Sequence, residues 1–256
     1  LRVDHQLDDK FKIGLNFSPT FTKSSALSTY GGVLLPPNIE PINADGVYGD
    51  ILGVPNPLAI LEQNQNSNKG VQFLANANAS YQITKEIAIS GTIGVDNYQN
   101  KQIKYESSQN ATGRNVQGRL EIYDRNYIGY ISFLQATFDK TFKEQHTVNF
   151  LVGTQVEDKN TELLRGSATG FTYDRLRVLN MGSNPTSASS TNENAAISYY
   201  SQLGYDFNKK YYANFNGRLD KSSIFGGDKQ VAFNGSAGIA WVISNEDFLK
   251  KKFFKV

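Results

Sequence analysis

The sequence predicts an all-β fold built from long antiparallel strands. Apolar and polar residues alternate over most of the 256 residues, and a period of two indicates strands with two different faces. The 14 Tyr, 16 Phe and 22 Gly are typical of β-rich chains, and helical periodicity is nearly absent. The connections between these segments are also short and long in alternation along the chain. These observations favour a series of consecutive hairpins.

Nine segments carry this alternation in whole or in part. In one of them Tyr211, Phe215 and Leu219 fall on one side, whereas Asn216 and Arg218 fall on the other. The fifth segment is apolar on both sides and fits the pattern less well. The nine predicted strands are residues 1–6, 11–21, 71–83, 87–96, 126–138, 148–156, 195–207, 211–219 and 231–243.

The lengths of the connections indicate whether the strands cross a membrane. Short connections are predicted at residues 7–10, 84–86, 139–145 and 208–210, and long ones at 23–69, 97–125, 157–194 and 220–230. A tilted strand of about ten residues spans a bilayer. Short turns at one rim and long loops at the other are typical of bacterial outer-membrane barrels. The pattern therefore predicts part of a transmembrane antiparallel β-barrel with short periplasmic turns and long extracellular loops.

Aromatic residues support this orientation, because they lie where a periplasmic aromatic girdle is expected. Those within a few positions of a short turn are Phe11, Tyr81, Phe138, Phe142, Tyr205, Phe207, Tyr211 and Tyr212. We expect the apolar side of each strand to face lipid and the polar side to face an aqueous or protein-filled lumen. In the alternative, a soluble β-rich fold, the apolar side would pack into a protein core.

The composition excludes several classes of site. The absence of cysteine excludes disulfides and thiolate metal sites, and only two histidines are present. The net charge of +2 does not favour binding to nucleic acid. The acidic residues Asp45, Asp50, Asp220 and Asp228 follow no calcium-binding spacing. We therefore expect no catalytic residue, no metal and no cofactor, and a protein that is not an enzyme.

Two stretches resemble a known family. Residues 198–226 read SYYSQLGYDFNKKYYANFNGRLDKSSIFG, and residues 240–248 read AWVISNEDF. Both are similar to segments of the SusC-like TonB-dependent outer-membrane transporters of Bacteroidetes, and the close match covers about residues 195–250. The chain departs from the family at Lys221, where Gly is usual, and at 234–236, where Phe-Pro-Ser is usual. The matching motif residues are Arg218, Asp220, Ser222, Ser223, Phe225, Gly226, Trp241, Glu246 and Phe248.

The resemblance implies a larger, plugged barrel of about 22 strands. Residues 1–256 would then be a partial outer-membrane β-barrel domain that lacks the plug domain and the TonB-contacting segment. It further implies uptake of oligosaccharides or peptides, with a SusD-like surface lipoprotein as lid. The TonB complex would supply energy through the missing N-terminal part. The implied location is the outer membrane of a Gram-negative, Bacteroidetes-type bacterium, in contact with outer-membrane lipid and without nucleic acid.

The candidate substrate-binding residues lie on the lumen side, where sugars or peptides need donors, acceptors and an aromatic platform. They are Asn76, Asn78, Tyr200, Gln202, Asn214, Asn216 and Arg218. For each of them, contact with the plug or with water is the alternative. Arg218 is the lone charge on its predicted strand, and we expect it to pair with Asp220 or with a carboxylate of the plug. Two other functions stay open, a passive or structural outer-membrane barrel and a soluble β-rich binding module.

Overall fold

The computed structural model describes residues 1–25, 40–49, 56–226 and 231–249, and in these ranges the strands form a nine-stranded antiparallel sheet. Each strand pairs with its neighbours in chain order, so the predicted series of hairpins is confirmed. The strands are β1 (Arg2–Gln6), β2 (Phe11–Ser25), β3 (Gln65–Gln82), β4 (Ile87–Glu106), β5 (Arg119–Phe142), β6 (His146–Thr169), β7 (Thr186–Phe207), β8 (Tyr211–Ser222) and β9 (Val231–Trp241).

Seven of the strands, β2 to β8, are longer than the sequence predicted. β5 and β6 contain 24 residues each, and most residues of the predicted loops 97–125 and 157–194 belong to strands. The connections that remain are 107–118 and 170–185. Polar residues occupy both sides of these extensions, so the sequence alternation ends although the backbone pairing continues. Pairing with the neighbouring strand, and not the side-chain pattern, therefore sets the strand ends.

The remaining long connections are only partly described. Residues 26–39, 50–55, 227–230 and 250–256 lie outside the described residues, and with them Asp50 and Asp228. The structure adds a helix that the sequence reasoning missed, α1 (Pro57–Gln63). The Asn56 side chain accepts a hydrogen bond from the backbone N–H of Leu58 at 3.0 Å, a regular N-cap. No helix within the described ranges is long and apolar enough to cross a membrane.

The register gives the sheet one apolar and one polar face. Phe150, Leu203 and Phe215 stand side by side on β6, β7 and β8 and define what we call the apolar face. Its side chains are open to the surroundings, and Ile239 on β9 is 90% exposed. On the polar face, Gln202 stands beside Asn216. The β4–β5 register places the even-numbered residues of β5 on the apolar face, which resolves the strand that looked apolar on both sides.

An aromatic row crosses the apolar face beside the short turns. It consists of Phe142, His146, Phe207, Tyr211 and Trp241, which follow one another from β5 to β9. The rings of Tyr211 and Trp241 are stacked with centroids 6.2 Å apart. Of the predicted girdle, Tyr212 is the exception, since it pairs with Asp206 and Ala240 on the polar face.

The buried side chains lie at the opposite rim, beyond the predicted membrane span. Tyr105, Leu120, Ala168 and Phe171 pack together there, with Ile103, Ile122 and Leu179 against them. Tyr105 and Leu120 are fully buried. The connection 170–185 thus folds against the ends of β4, β5 and β6 and gives the long-loop rim a small core of its own.

A partly buried carboxylate holds this rim together. Asp174 accepts hydrogen bonds from Tyr105 Oη at 2.7 Å, from Ser108 Oγ at 2.9 Å and from Ser107 Oγ. Burial raises the pKa of Asp174, but these hydrogen bonds outweigh it and hold the pKa below its usual value. The Arg177 guanidinium lies 4.5 Å from the Tyr105 ring centroid and donates to the Gln63 carbonyl in α1 at 2.8 Å. We call these five side chains, from Tyr105 to Arg177, the Asp174 cluster.

Candidate functional site

Four of the predicted substrate-binding residues lie together on the polar face. Tyr200 and Gln202 from β7, with Asn216 and Arg218 from β8, line a depression of about 330 Å³. Two residues of β9 that the sequence reasoning did not select, Asn234 and Ser236, complete it. Asn216 Nδ2 donates to Ser236 Oγ at 3.2 Å. Both missed residues occupy polar positions of a predicted strand, which is the signal that could have identified them.

The other predicted residues lie elsewhere on the same face. Asn214 lines a neighbouring depression, also of about 330 Å³, together with Asn149, Asp206 and Tyr212. Asn76 and Asn78 stand on β3, and among the nine strands β3 pairs only with β2 and β4. The alternation assigned all of these residues to the polar face correctly, but position along the sheet divides them into separate groups.

Tyr200 reaches across a glycine on the neighbouring strand. Gly153 on β6 pairs with Tyr200, and a Cβ added to Gly153 would lie 2.5 Å from Cζ of the Tyr200 ring. The ring therefore lies over β6, and its hydroxyl donates to Gln135 Oε1 on β5 at 3.3 Å. Because Gly153 has no side chain, there is room for the Tyr200 ring, which is the aromatic platform of the depression.

Arg218 makes the ion pair that the sequence predicted. Its Nε donates to Asp220 Oδ1 at 2.7 Å, and its Nη2 donates to Ser198 Oγ at 3.0 Å and to Gln155 Oε1 at 3.3 Å. Ser198 is buried, and its hydroxyl donates to Asp220 Oδ1 at 2.5 Å. The expectation of a lone charge was wrong, because β8 continues to Ser222 and carries Asp220 and Lys221 as well.

The network continues onto β6 and neutralises its own charge. Gln155 donates to Glu157, which also accepts from Lys159 Nζ at 2.5 Å. Arg218 and Lys159 are thus balanced by Asp220 and Glu157, with Gln155 between the two pairs. The depression beside this network is bordered by amides, hydroxyls, one phenol and the paired guanidinium of Arg218, so it suits a neutral ligand that forms many hydrogen bonds.

The family-motif residues divide between the two rims of the sheet. At the long-loop end, Ser223 Oγ accepts from the Ala195 N–H at 2.9 Å, and Ser222 Oγ accepts from the Ile224 N–H at 3.3 Å. Phe225 and Gly226 follow and are exposed. These hydrogen bonds hold the start of the β8–β9 connection against β7.

At the short-turn end, Glu246 holds the segment that follows β9. Its Oε1 accepts from Tyr211 Oη at 2.7 Å and from Trp241 Nε1 at 3.1 Å, and its Oε2 lies 3.0 Å from Lys210 Nζ. The hydrogen bonds from Tyr211, Lys210 and Trp241 stabilise the anion and lower the pKa of Glu246 to about 2. Phe248, the last motif residue, is exposed. Glu246 thus links the aromatic row to the following turn.

In the part of the chain that the structure describes, no three His, Cys, Asp or Glu side chains lie close enough together to hold a metal ion. Asp220, which the sequence analysis considered as a calcium ligand, is engaged by Arg218 and Ser198.

Comparison with known proteins identifies relatives over nearly the whole chain. TonB-dependent receptor P26 of Formosa agariphila is 27% identical over 263 residues, which cover 98% of this chain and 27% of that protein. TonB-dependent receptor P3 of the same bacterium is 28% identical over 268 residues, or 97% of this chain and 27% of the receptor. The chain is related to the TonB-dependent receptors. It spans about a quarter of the length of these curated relatives. No protein-family model matches the chain.

The fold of this TonB-dependent receptor relative agrees with a solved structure. The structure of the RagAB peptide transporter superposes with a TM-score of 0.80 at 19% identity, over 96% of this chain and 30% of that one. The solved structure confirms the fold of a partial β-barrel wall. The sequence relatives support the resemblance to TonB-dependent transporters of Bacteroidetes and agree with a location in the outer membrane. For a wall of this fold we infer that the apolar face is the lipid side, that the short turns lie at the periplasm and that the Asp174 cluster lies at the cell surface.

Proposed function

We propose that this chain is part of the barrel wall of an active outer-membrane transporter for oligosaccharides or peptides, energised by TonB. The observation that carries the proposal is a lipid-facing wall whose polar face bears a hydrogen-bonding depression with an aromatic platform. Two relatives named TonB-dependent receptors and a structural neighbour described as a peptide transporter support it. Those relatives are receptors and transporters by name, in agreement with a role other than catalysis.

We assign substrate contact to Tyr200, Gln202, Asn214, Asn216 and Arg218. Amides and hydroxyls offer both donors and acceptors to peptide bonds or sugar hydroxyls, and the Tyr200 ring offers a surface on which an apolar or sugar face can stack. The internal neutralisation of the Arg218 network favours neutral ligands over strongly charged ones. A SusD-like surface lipoprotein is the proposed partner at the long-loop rim.

We place the plug domain and the TonB-contacting segment outside residues 1–256, which form one partial barrel domain. Within the described ranges, β1 and β9 are each paired along one edge only. An unpaired strand edge is not viable in lipid, because its backbone N–H and C=O groups would lack partners. The wall therefore requires further strands on both sides.

Uptake by intact cells that express the full-length protein tests this function. We expect a labelled oligosaccharide or oligopeptide to enter these cells but not isogenic cells that lack a functional TonB complex. Uptake that persists without TonB would instead favour a passive barrel. Extraction of the full-length protein by detergent-free buffer would favour a soluble β-rich module.

A further inference from the structure

Three lysines form a row on the apolar face near the cell-surface rim. Lys23 on β2 pairs with Lys69 on β3, and Lys69 pairs with Lys101 on β4. Neighbouring strands lie about 4.8 Å apart, so the three side chains start within about 10 Å of one another. All three are exposed. Their side chains point to the outside of the wall, away from the depression on the polar face.

The lysine row places three like charges side by side on the apolar face. Within the described ranges, none of the three lysines forms an ion pair. Asp124 follows in the register beside Lys101 and ends the row. Like charges directly opposite each other on neighbouring strands are destabilising. Three adjacent lysines therefore favour an external anion, which would relieve their mutual repulsion.

The position of the lysine row along the strands matches the level of lipid headgroups. Lys23, Lys69 and Lys101 each lie twelve positions from the row that contains Phe11, Tyr81 and Ile89 near the periplasmic turns. Twelve residues span about 41 Å along a strand, or about 31 Å along the barrel axis at a tilt of about 40°. The apolar band of such barrels is only about 25 Å tall. The ammonium groups thus stand just above the hydrocarbon.

An aromatic cluster marks the interface directly below the lysine row. The ring centroids of Phe17 and Phe73 lie 6.0 Å apart, and those of Phe21 and Phe73 lie 6.2 Å apart. Phe21 precedes Lys23 by two positions on the same face and is 72% exposed. Aromatic girdles occur at both interfaces of outer-membrane barrels, so this cluster marks the cell-surface side.

We propose that Lys23, Lys69 and Lys101 form a docking surface for the phosphate groups of an anionic lipid in the outer leaflet. The phenylalanine cluster would contact the acyl chains of the same lipid. Lysine binds phosphate as a compact point charge, and basic side chains beside a membrane attract anionic headgroups. The proposal depends on the orientation of the barrel in the outer membrane and not on transport, so it holds or fails independently of the proposed substrate.

Lipid binding to the purified full-length protein tests this surface. The probe is phosphorylated lipid A, titrated into detergent-solubilised protein and counted by native mass spectrometry. Each lysine near an anionic surface contributes about fivefold in affinity, so a Lys23→Gln, Lys69→Gln, Lys101→Gln triple variant should bind roughly 100-fold more weakly. The corresponding triple Arg variant should retain binding, because it keeps the charge.

The matched control removes the same charge at the periplasmic turns, by Lys85→Gln, Lys143→Gln and Lys209→Gln, and should bind like the wild type. Phosphatase-treated lipid A should bind the wild type as weakly as phosphorylated lipid A binds the Gln triple variant. Equal affinity of the Gln triple variant and the control would overturn the proposal. Tight binding of dephosphorylated lipid would overturn it too, and so would displacement of the lipid by millimolar inorganic phosphate, which would indicate a small-anion site.

Discussion

At the scale of single residues, the polar face depends on a glycine as much as on its polar side chains. The Tyr200 ring occupies the space that a side chain at Gly153 would fill. A Gly153→Ala substitution should displace the ring, break the hydrogen bond to Gln135 and destabilise the barrel by about 1–3 kcal/mol through overpacking. Denaturant titration of the full-length protein measures the loss of stability, and uptake assays measure the loss of the platform.

Gly204→Ala is the matched control on the same face. A Cβ at Gly204 would meet its nearest neighbours at 3.7 Å or more, which is ordinary van der Waals contact. We expect this variant to change stability much less than Gly153→Ala does. Equal effects of the two substitutions would mean that glycine flexibility, and not the Tyr200 ring, determines the result.

Arg218 links three strands of the wall. Arg218→Ala should leave Asp220 and Ser198 without their cation and cost about 1 kcal/mol or less, because the pair is partly exposed. The start of the β8–β9 connection should become more sensitive to protease, and uptake should fall while the barrel still inserts. Limited proteolysis on intact cells and a transport assay measure the two effects.

Asn216→Ala removes a polar side chain two positions before Arg218 on the same face of β8, but it leaves the ion pair intact. It should therefore leave the protease sensitivity of the connection unchanged. If Arg218→Ala likewise changed neither proteolysis nor uptake, the Arg218–Asp220 pair would have no role beyond the local turn.

At the scale of elements, hydrogen bonds to Glu246 hold the segment after β9 against the aromatic row. Its pKa is about 2 in the folded protein, below the ordinary value of 4.5. The stabilisation is therefore fully present above about pH 4.5 and is lost as the pH falls towards 2. Glu246→Gln should abolish this dependence and increase amide hydrogen exchange in residues 242–249 at neutral pH. The adjacent Asp247→Asn substitution should leave the pH dependence and the hydrogen exchange unchanged. Equal exchange in the Glu246→Gln and Asp247→Asn variants would contradict the role assigned to Glu246.

The cell-surface rim is held in a comparable way by the Asp174 cluster. The lowered pKa of Asp174 means that its stabilisation is present above the usual carboxyl range and is lost only in acid. Asp174→Asn should leave at least one buried donor unpaired, cost about 1–3 kcal/mol and raise hydrogen exchange in residues 107–118. Asp158→Asn, an exposed position on β6, serves as control. Unchanged exchange in the Asp174 variant would show that the apolar core alone holds the rim.

At the scale of the whole molecule, the apolar face has the energetics of a lipid surface. Arg at Phe150 or Leu203, each four positions from the aromatic row, should cost about 2–4 kcal/mol, because charge near the bilayer midplane is expensive. Arg at Ile89, level with Tyr81 near the rim, should cost less. Unfolding of the protein reconstituted in lipid measures all three values.

Arg at Gln202 or Asn216 on the polar face should cost little, since both side chains are exposed towards the lumen. Equal costs on both faces, without dependence on depth, would mean that the apolar face is covered by protein and not by lipid.

Much of the fold could be predicted because a period of two is local information. The alternation identified nine strands, their order of pairing and the polar positions of Tyr200, Gln202, Asn216 and Arg218. The Arg218–Asp220 pair was predictable too, because residues two apart on a strand share a face. The ends of the strands were not, since polar residues occur on both sides of residues 97–106 and 157–169 and the pairing there depends on the neighbouring strand.

What the sequence determined by itself was therefore the two-faced wall and its resemblance to a transporter family. The tertiary structure decided which polar residues share one depression, since that depends on the register between strands far apart in the chain. Register also placed Gly153 under Tyr200 and joined Lys23, Lys69 and Lys101 into one row. The physical reason is that alternation fixes the side of the sheet on which a side chain lies, whereas only backbone pairing fixes its neighbours.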